Sequence, residues 1–556
     1  MPDLKKPFGI DLGTTYSVIA HLDASGRPEA IENREGDKTT PSVIVFDPSG
    51  EIVVGSEAKN EAVLNPDRVV EMVKRYMGSD GWRHTIDGAD WTPESLSALI
   101  LGKLVRDASD AVGVPVEDVV ISHPAYFTDV ERAATRAAGV IAGLNVLALV
   151  EEPVAAAYAY SMTSDEELEG NVLVYDLGGG TFDACVISVS PVGDGRDIRV
   201  IITEGQHTLG GRDWDQRILD YVLEEFSART GMDLDAYSSG VMGEDAAVRF
   251  RELLQDLSGR VEDAKRALSQ PQKSRARIGV NFEGAREIVE LSRERFDDMT
   301  ADLLLRTMDS TRQALDEARE KGVERIDTVL LVGGSSRMLQ VSRAVSSLLG
   351  PDVDLRLFEP DLAVAKGAAY VAMHKELFKP ARGGDEVTPE EARERARSYM
   401  PEAVGDSLVG TSFSIVVAHS LGIVVIEDPA KPDSRLVSHI IAAQTPAPFS
   451  ETKPYVTPYE AQSAVLIEVK QGDSDVPEEC HHLGQVELTF PRPMPRETAF
   501  DVTLTMNQEA ILEVAGVQHD TGAVVKAVVE RPATMSKDRQ LEAAKLQPSY
   551  LERMRD

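Results

Sequence analysis

Cysteine is almost missing from this chain: Cys185 and Cys480 are the only two in 556 residues. Two thiols so far apart exclude a disulfide framework and a closely spaced metal knuckle, and they fit a reducing cytoplasm. No stretch approaches the ~18 consecutive apolar residues of a membrane span. Met1 to Pro7 leads straight into Phe8-Gly9-Ile10 with no signal-peptide core. A soluble, intracellular, cytoplasmic protein is expected. Excess positive charge is lacking as well, since 58 Lys and Arg stand against 93 Asp and Glu, a net charge of −35. That field repels phosphate backbones and anionic lipid surfaces, so neither nucleic acid nor membrane is expected as a partner.

What remains is ordinary globular composition, 42% hydrophobic and 27% charged, which excludes a chain disordered or fibrous throughout. The length exceeds the ~250 to 300 residues at which one core stops growing, so several domains are expected. From Phe8 to about Met373, short β-branched runs alternate with longer helical periods, the pattern of an α/β architecture. Val119 to Ile121, Asn171 to Tyr175 and Thr328 to Val332 read as its buried strands. This places a first domain at 1–376. A connector at 377–411 follows, marked by Pro380, Gly383 and Gly384 and by the charge-rich Pro389 to Ser398, expected to be solvated and mobile with a helix at its centre. Residues 412–530 carry short strand-like runs between Gly, Pro and Asn, namely Ser463 to Lys470, Gln485 to Phe490, Phe500 to Met506 and Ile511 to Gly516. Phe500, Val502, Leu504 and Met506 alternate with polar residues as a half-buried strand requires, so this is a β-sandwich-like module. A short helical tail, 531–556, opens at a cap on Ser536 and is too short for a helical bundle.

One internal repeat carries chemistry. Asp11-Leu12-Gly13-Thr14-Thr15 and Asp176-Leu177-Gly178-Gly179-Gly180-Thr181-Phe182-Asp183 each follow an apolar strand. Glycine lets backbone amides surround phosphate oxygens, threonine hydroxyls add donors, and each aspartate can hold a hydrated magnesium ion. Neither turn closes on Lys-Ser or Lys-Thr, so neither is a P-loop. Singly, either could be an ordinary turn; as a pair they could clamp a polyphosphate from opposite sides. A third glycine turn, Gly333-Gly334-Ser335-Ser336-Arg337, could lie flush against a base or ribose, or simply join a strand to a helix. Leu254, Leu257, Val261, Ala264 and Leu268 form the buried stripe of one helix, whose polar face carries Glu262, Lys265, Arg266 and Ser269.

Together these segments resemble the heat-shock protein 70 (DnaK-type) chaperones. The likeness also rests on Glu35 to Ser42, Asn65-Pro66 leading to Val73-Lys74-Arg75, His123 to Phe127, Ala142 to Val146, Glu151 to Ala157, Leu209-Gly210-Gly211 and Glu359-Pro360-Asp361. Looser matches lie at Ser420 to Ile423, Gln462 to Val465, Gln471-Gly472, Leu483 to Gln485 and Ala510 to Leu512. The resemblance implies an actin-like, two-lobed ATPase domain followed by a β-sandwich that binds peptide. It assigns phosphate contacts to Gly13, Thr14, Thr15, Gly178, Gly179, Gly180 and Thr181, with Tyr16, Gly210 and Gly211 nearby. Adenosine would meet Glu262, Lys265, Arg266 and Ser269 on one side, and Gly333, Gly334, Ser335, Arg337 and Asp361 on the other. Asp11, Glu152, Asp176 and Asp183 would position magnesium and the attacking water, joined in catalysis by Thr181 and by Lys74 at the γ-phosphate. The implied cofactors are ATP or ADP with Mg2+, and K+ as a further ion. Ile423, Ile426, Tyr455, Val465, Ile467 and Ile511 are the implied peptide pocket, although each could equally be sandwich core. Pro124 and Arg132 match positions that relay nucleotide state between domains.

The sequence departs from the family in three places. The leucine-rich connector with an acidic end is absent, leaving Ser407-Leu408-Val409 or Phe413 to Val417 as substitutes. The helical lid is missing, so fast peptide exchange is expected. Ala148, Glu151 and Val154 stand where the family has Arg, Asn and Thr, and an added negative charge there opposes a J-domain co-chaperone. Expected partners are extended or unfolded polypeptides and a nucleotide exchange factor. Two other readings stand beside the chaperone: a small-molecule kinase of the actin-like superfamily, and a nucleotide-gated scaffold or filament protein.

Overall fold

Two α/β bodies repeat one strand pattern, and a computed structural model describes them at residues 6–79, 81–163, 168–351, 353–380, 386–431, 433–507, 512–528, 543 and 553–554. In the first body, lobe I, Phe8–Asp11 lies parallel to Asp118–His123, which lies parallel to Asn145–Glu151, and it turns back through antiparallel Tyr16–Leu22 to Pro28–Ala30. In lobe II, Gly170–Leu177 plays the same part. It is parallel to Thr328–Val332, beyond which lies Asp354–Leu357, and it turns back through antiparallel Phe182–Val192 to Gly195–Gln206. The central strands are buried on both faces, which explains their continuous apolar runs. Each repeated glycine turn therefore sits where a parallel strand reverses into its hairpin.

Small residues let the two helices behind the sheets come close. Glu152–Thr163 and Ala363–Leu377 pack on each other, and a Cβ on Gly367 would stand 1.8 Å from the Ala155 carbonyl oxygen. A Cβ on Gly9 would likewise fall 2.1 Å from the Ala369 nitrogen, so any side chain at either position forces the layers apart.

The β module is a two-layer sandwich. One sheet runs Arg435–Ile441, Leu421–Ile426, Gln462–Gln471, His481–Met494, and the other Phe449–Val456, Ala499–Met506, Leu512–Gln518, Ala523–Val528. Phe500, Val502, Leu504 and Met506 face its core in alternation.

The connector differs from expectation. Pro389–Ala396 is helical, with Thr388 and Glu391 forming a capping box, but a second helix, Glu402–Gly410, follows. Nor is the stretch merely solvated: Ala392, Ala396, Met400 and Leu408 enter the core that surrounds the two alanine-rich helices. Charges on the outer face concealed an apolar series four apart, Ala392, Ala396 and Met400. Ser412–Ser414 then joins the lobe II sheet as an edge strand, parallel to Asp197–Arg199. Ser536 and nearly all of the tail lie outside the described residues. Among the described residues no helix is long and apolar enough to cross a membrane.

Candidate functional site

The cleft between the lobes is built from the two repeated turns. A Cβ on Gly179 would lie 1.8 Å from Thr15 Oγ1, and one on Gly180 would lie 2.4 Å from Thr14 Cγ2, so the turns meet across the cleft with room for glycine alone. The Gly13 amide donates to Ser17 Oγ (3.1 Å), and Gly178 donates to the Thr181 carbonyl (3.1 Å), which fixes each turn from within. The amides of Gly211 and Arg212 donate to the carbonyls of Gly178 and Gly179, both at 2.9 Å, and so tie the helix Gly211–Thr230 to the second turn. Gly210 caps the start of this helix, and its amide donates to Asp213 Oδ2 at 2.8 Å.

Four carboxyl groups gather beneath the turns. Asp11 ends its strand and accepts from Ser122 Oγ (2.8 Å); burial, then Glu152, pushes its carboxyl up to about 7. Asp176 and Asp183 face each other across the second hairpin. Burial, then Glu152 with Asp183 and Asp11, drives Asp176 well above the carboxylate range. Burial and Glu152 push Asp183 up to about 7, although the Tyr126 amide donates to its Oδ1 at 3.2 Å. The Lys74 ammonium donates to Glu152 Oε1 at 2.6 Å, with both side chains buried. Burial alone would lower Lys74, but Glu152 and Asp11 outweigh it and hold the ammonium charged.

Along the upper wall, Glu262 of helix Glu244–Leu268 accepts from Tyr16 OH (3.0 Å), Arg266 (2.6 Å) and Lys59 (2.5 Å). Burial would raise it, yet Lys59, Arg266 and Lys265 hold its carboxyl down at about 2. Lys265 turns instead to Asp215 (2.8 Å) and the Gly211 carbonyl (3.0 Å), while Ser269 caps the helix by donating to the Lys265 carbonyl. Opposite, Gly333 has φ +78° and approaches Asp176 so closely that a Cβ would stand 2.4 Å from Oδ1. Ser335 lies against Gly211, Gly334 against Asp361, and Arg337 pairs with Asp361 at 2.6 Å. The structure thus brings Thr14 and Thr15 against Gly180 and Gly179, Tyr16 to Glu262, Lys265 and Ser335 to Gly211, and Arg337 to Asp361.

Several cleft residues had no role assigned from sequence. Arg75 donates to the Gly180 carbonyl (2.9 Å) and to Asp213 (2.6 Å), bridging the lobes beside the second turn. Arg212 with Glu71 (2.9 Å), Arg251 with Asp67 (2.7 Å) and Lys59 with Glu262 cross the cleft farther out.

These residues suit a magnesium-bound polyphosphate. Thr15 Oγ1 is buried without a hydrogen-bond partner among the described residues and the glycine turns present their backbone, whereas among the described residues no three carboxylate, imidazole or thiol side chains come close enough together to hold a metal ion directly, so magnesium would be met through water.

A seam joins this cleft to the β module. Pro124 opens the turn after Asp118–His123, its carbonyl accepting from Phe127 N (3.2 Å). Arg132, buried in the helix Asp129–Ile141, pairs with Asp129, whose amide donates to Gln471 of the sandwich (2.8 Å). Val130 packs on the sandwich core. The Tyr126 ring meets the His419 ring edge-on at 4.6 Å between centroids, and Gln444 pairs with the Thr203 backbone. Glu151 is a correction. Its carboxyl is 3% exposed and is pushed up to about 8 by burial, against the pull of Arg132, so it presents no surface charge to a partner.

In the sandwich, Ile423 and Ile467 fill the core at 3% and 1% exposure, a placement sequence alternation could not separate from a pocket. Ile426, Tyr455 and Val465 are half-buried, Tyr455 OH donating to Ser438 Oγ at 3.2 Å. Ile511 lies outside the described residues.

The comparisons agree with one another. The Hsp70 protein family matches residues 7–86, 81–379 and 416–553. The chaperone protein DnaK of Thermosipho africanus is 36% identical over 535 residues, 95% of this chain and 81% of that relative. Its counterparts from Thermotoga neapolitana and Thermotoga petrophila are each 36% identical over 552 residues, covering 97% of this chain and 84% of theirs. With a family match across most of its length, the paired turns in its first part and the sandwich after them, the chain belongs to the Hsp70 family.

Proposed function

We propose that this chain works as an ATP-dependent molecular chaperone and ATPase, with residues 1–376 as an actin-like two-lobed ATPase domain and 412–530 as the peptide-binding domain. The connector is 377–411, and 531–556 is the tail. The observation that carries this reading is the meeting of Thr14 and Thr15 with Gly180 and Gly179 above four buried carboxyl groups, in a cleft whose floor touches the sandwich seam.

Phosphate oxygens would be held by the amides and hydroxyls of Gly13 to Thr15 and Gly178 to Thr181, and adenosine by the Glu262 and Gly333 walls. Magnesium would be held by Asp11, Glu152, Asp176 and Asp183, mostly through water, and supplies charge neutralisation on the transferring phosphoryl group. Thr14 and Thr15 touch the facing glycines, so the lobes must part to admit a polyphosphate. Lys74 contributes a fixed positive charge at the reacting end, and Asp183 is oriented by the Tyr126 amide to align water.

Extended polypeptide is the substrate of the sandwich, for which Ile426, Tyr455 and Val465 are the accessible apolar candidates; Ile423 and Ile467 support them from the core. Coupling would run from Asp183 through Tyr126 to His419, and from Arg132 and Asp129 to Gln471. The two free, buried cysteines favour a cytoplasmic setting. The test is ATP turnover by the purified chain with and without an extended apolar peptide. The reading requires turnover without a small-molecule acceptor and stimulation by peptide; turnover that depends on a sugar or small acid contradicts it.

A further inference from the structure

Near the end of the strand Gly195–Gln206, a Cβ on Gly205 would stand 2.9 Å from Tyr126 Cβ and 3.0 Å from Asp183 Oδ1, so this lobe II strand lies directly against the turn that follows Asp118–His123 in lobe I. Two residues on, half-buried His207 reaches across to lobe I, with Nδ1 3.1 Å from Glu131 Oε1. Burial would raise the Glu131 carboxyl, but His207 and the Thr128 amide and hydroxyl outweigh it and hold the group below its ordinary value. A carboxylate can only accept, so the His207 nitrogen donates. The His207 ring also lies nearly parallel to Phe127, at 12° with 6.1 Å between centroids, and meets Tyr126 at 5.1 Å.

The segment so held bears on the reacting end of the cleft. The Tyr126 amide donates to Asp183, the Lys74 ammonium stands 5.9 Å from the centre of the Phe127 ring, and Glu131 shares with Thr128 the capping box that starts the helix Asp129–Ile141. We propose that His207 and Glu131 form a clasp between the lobes that fixes Tyr126 and Phe127 against Asp183 and Lys74, which makes His207 a positioning residue for ATP hydrolysis. Aligning water and charge on a phosphoryl group tolerates little displacement, whereas nucleotide affinity comes from the glycine turns and the adenosine walls. Loss of the clasp therefore lowers kcat and spares KM. The effect on turnover rests on the ATPase reading; the contact between the lobes does not.

Steady-state ATPase of the full chain, beside hydrogen exchange at residues 124–132 without nucleotide, tests it. His207→Ala, and His207→Phe, which keeps a ring but no donor, should each lower kcat by about tenfold with KM within about twofold of the parent. His207→Asn places an amide donor near the position of Nδ1 and should keep kcat within about threefold of the parent. Glu131→Ala should also lower kcat, and adding His207→Ala to it should cost nothing more, because both remove one contact. Exchange at 124–132 should be about tenfold faster in His207→Ala and His207→Phe than in the parent. The clasp is overturned by parent-like kcat or unchanged exchange in His207→Ala, by losses that multiply in the double variant, or by His207→Asn as impaired as His207→Ala. A raised KM with kcat unchanged would make His207 a binding contact and overturn its positioning role. A parent without turnover would contradict the ATPase reading alone, and exchange at 124–132 would still decide the clasp.

Discussion

The Lys74 ammonium and the Glu152 carboxylate form a buried ion pair at 2.6 Å on the floor of the cleft, where the strands that carry Asp11, Asp176 and Asp183 converge. Removing the cation leaves several carboxyl groups uncompensated and takes away the positive charge nearest them. Lys74→Ala should therefore lower ATP turnover by about 10²-fold or more while nucleotide binding persists, because the glycine turns and adenosine walls are untouched. Single-turnover hydrolysis beside equilibrium nucleotide binding checks this; unchanged hydrolysis removes Lys74 from the catalytic set.

Glu262 closes the outer cleft by accepting from Lys59 and Tyr16 of lobe I. Glu262→Gln should speed nucleotide release by about tenfold, since charge-assisted bonds of ~1.5 to 3 kcal/mol are weakened. Its carboxyl lies at about 2 in the folded chain against an ordinary 4.5. The folded value is depressed, so the stabilisation is full above 4.5 and is lost as pH falls through about 2. The difference in melting temperature between parent and Glu262→Gln should accordingly shrink on acidification, and a difference that grows contradicts the assignment.

Val465 is half-buried on Gln462–Gln471, beside Ile467 in the core. Val465→Phe should weaken binding of an extended apolar peptide, read by fluorescence anisotropy, without altering ATP affinity. Undiminished peptide affinity in the folded variant would place the groove elsewhere.

Phe413 sits in the edge strand Ser412–Ser414, which follows the connector, paired with Ile198 and near Tyr158 at 6.3 Å between ring centroids. Phe413→Asp puts a charge against that apolar layer and should detach the strand. Basal ATPase should persist while stimulation by peptide falls to the unstimulated level. Full stimulation in the variant would mean that coupling bypasses the connector.

The paired turns were legible because their requirement is local: an aspartate, glycines and threonines occupy a few consecutive positions after a strand, and the contacts of Gly179 and Gly180 show why no other residue fits. Lys59 and Arg212 were not legible, since each is an ordinary basic residue whose partner lies more than a hundred positions away, and Arg75 lay in a matched segment without a role because its partner Asp213 is as distant. The connector misled for a related reason: its charges dominate composition, whereas Ala392 and Ala396, one helical turn apart, decide its packing. Glu151 looked like surface charge because sequence alone does not show that the strand Asn145–Glu151 ends beneath the seam. Period-two alternation found the sandwich strands but could not say which faces meet a partner, so Ile423 and Ile467 turned out to be core.

The most direct test of the account is calorimetric titration of the purified chain with Mg-ATP in buffers of different ionisation enthalpy. Asp11 and Asp183, both pushed up to about 7, are partly protonated at neutral pH, and a bound divalent cation favours their charged forms. The account predicts saturable binding of one nucleotide per chain with net proton release near pH 7, and weaker binding as pH falls below that value. Absence of any binding heat from a folded sample, or binding accompanied by proton uptake, would contradict it.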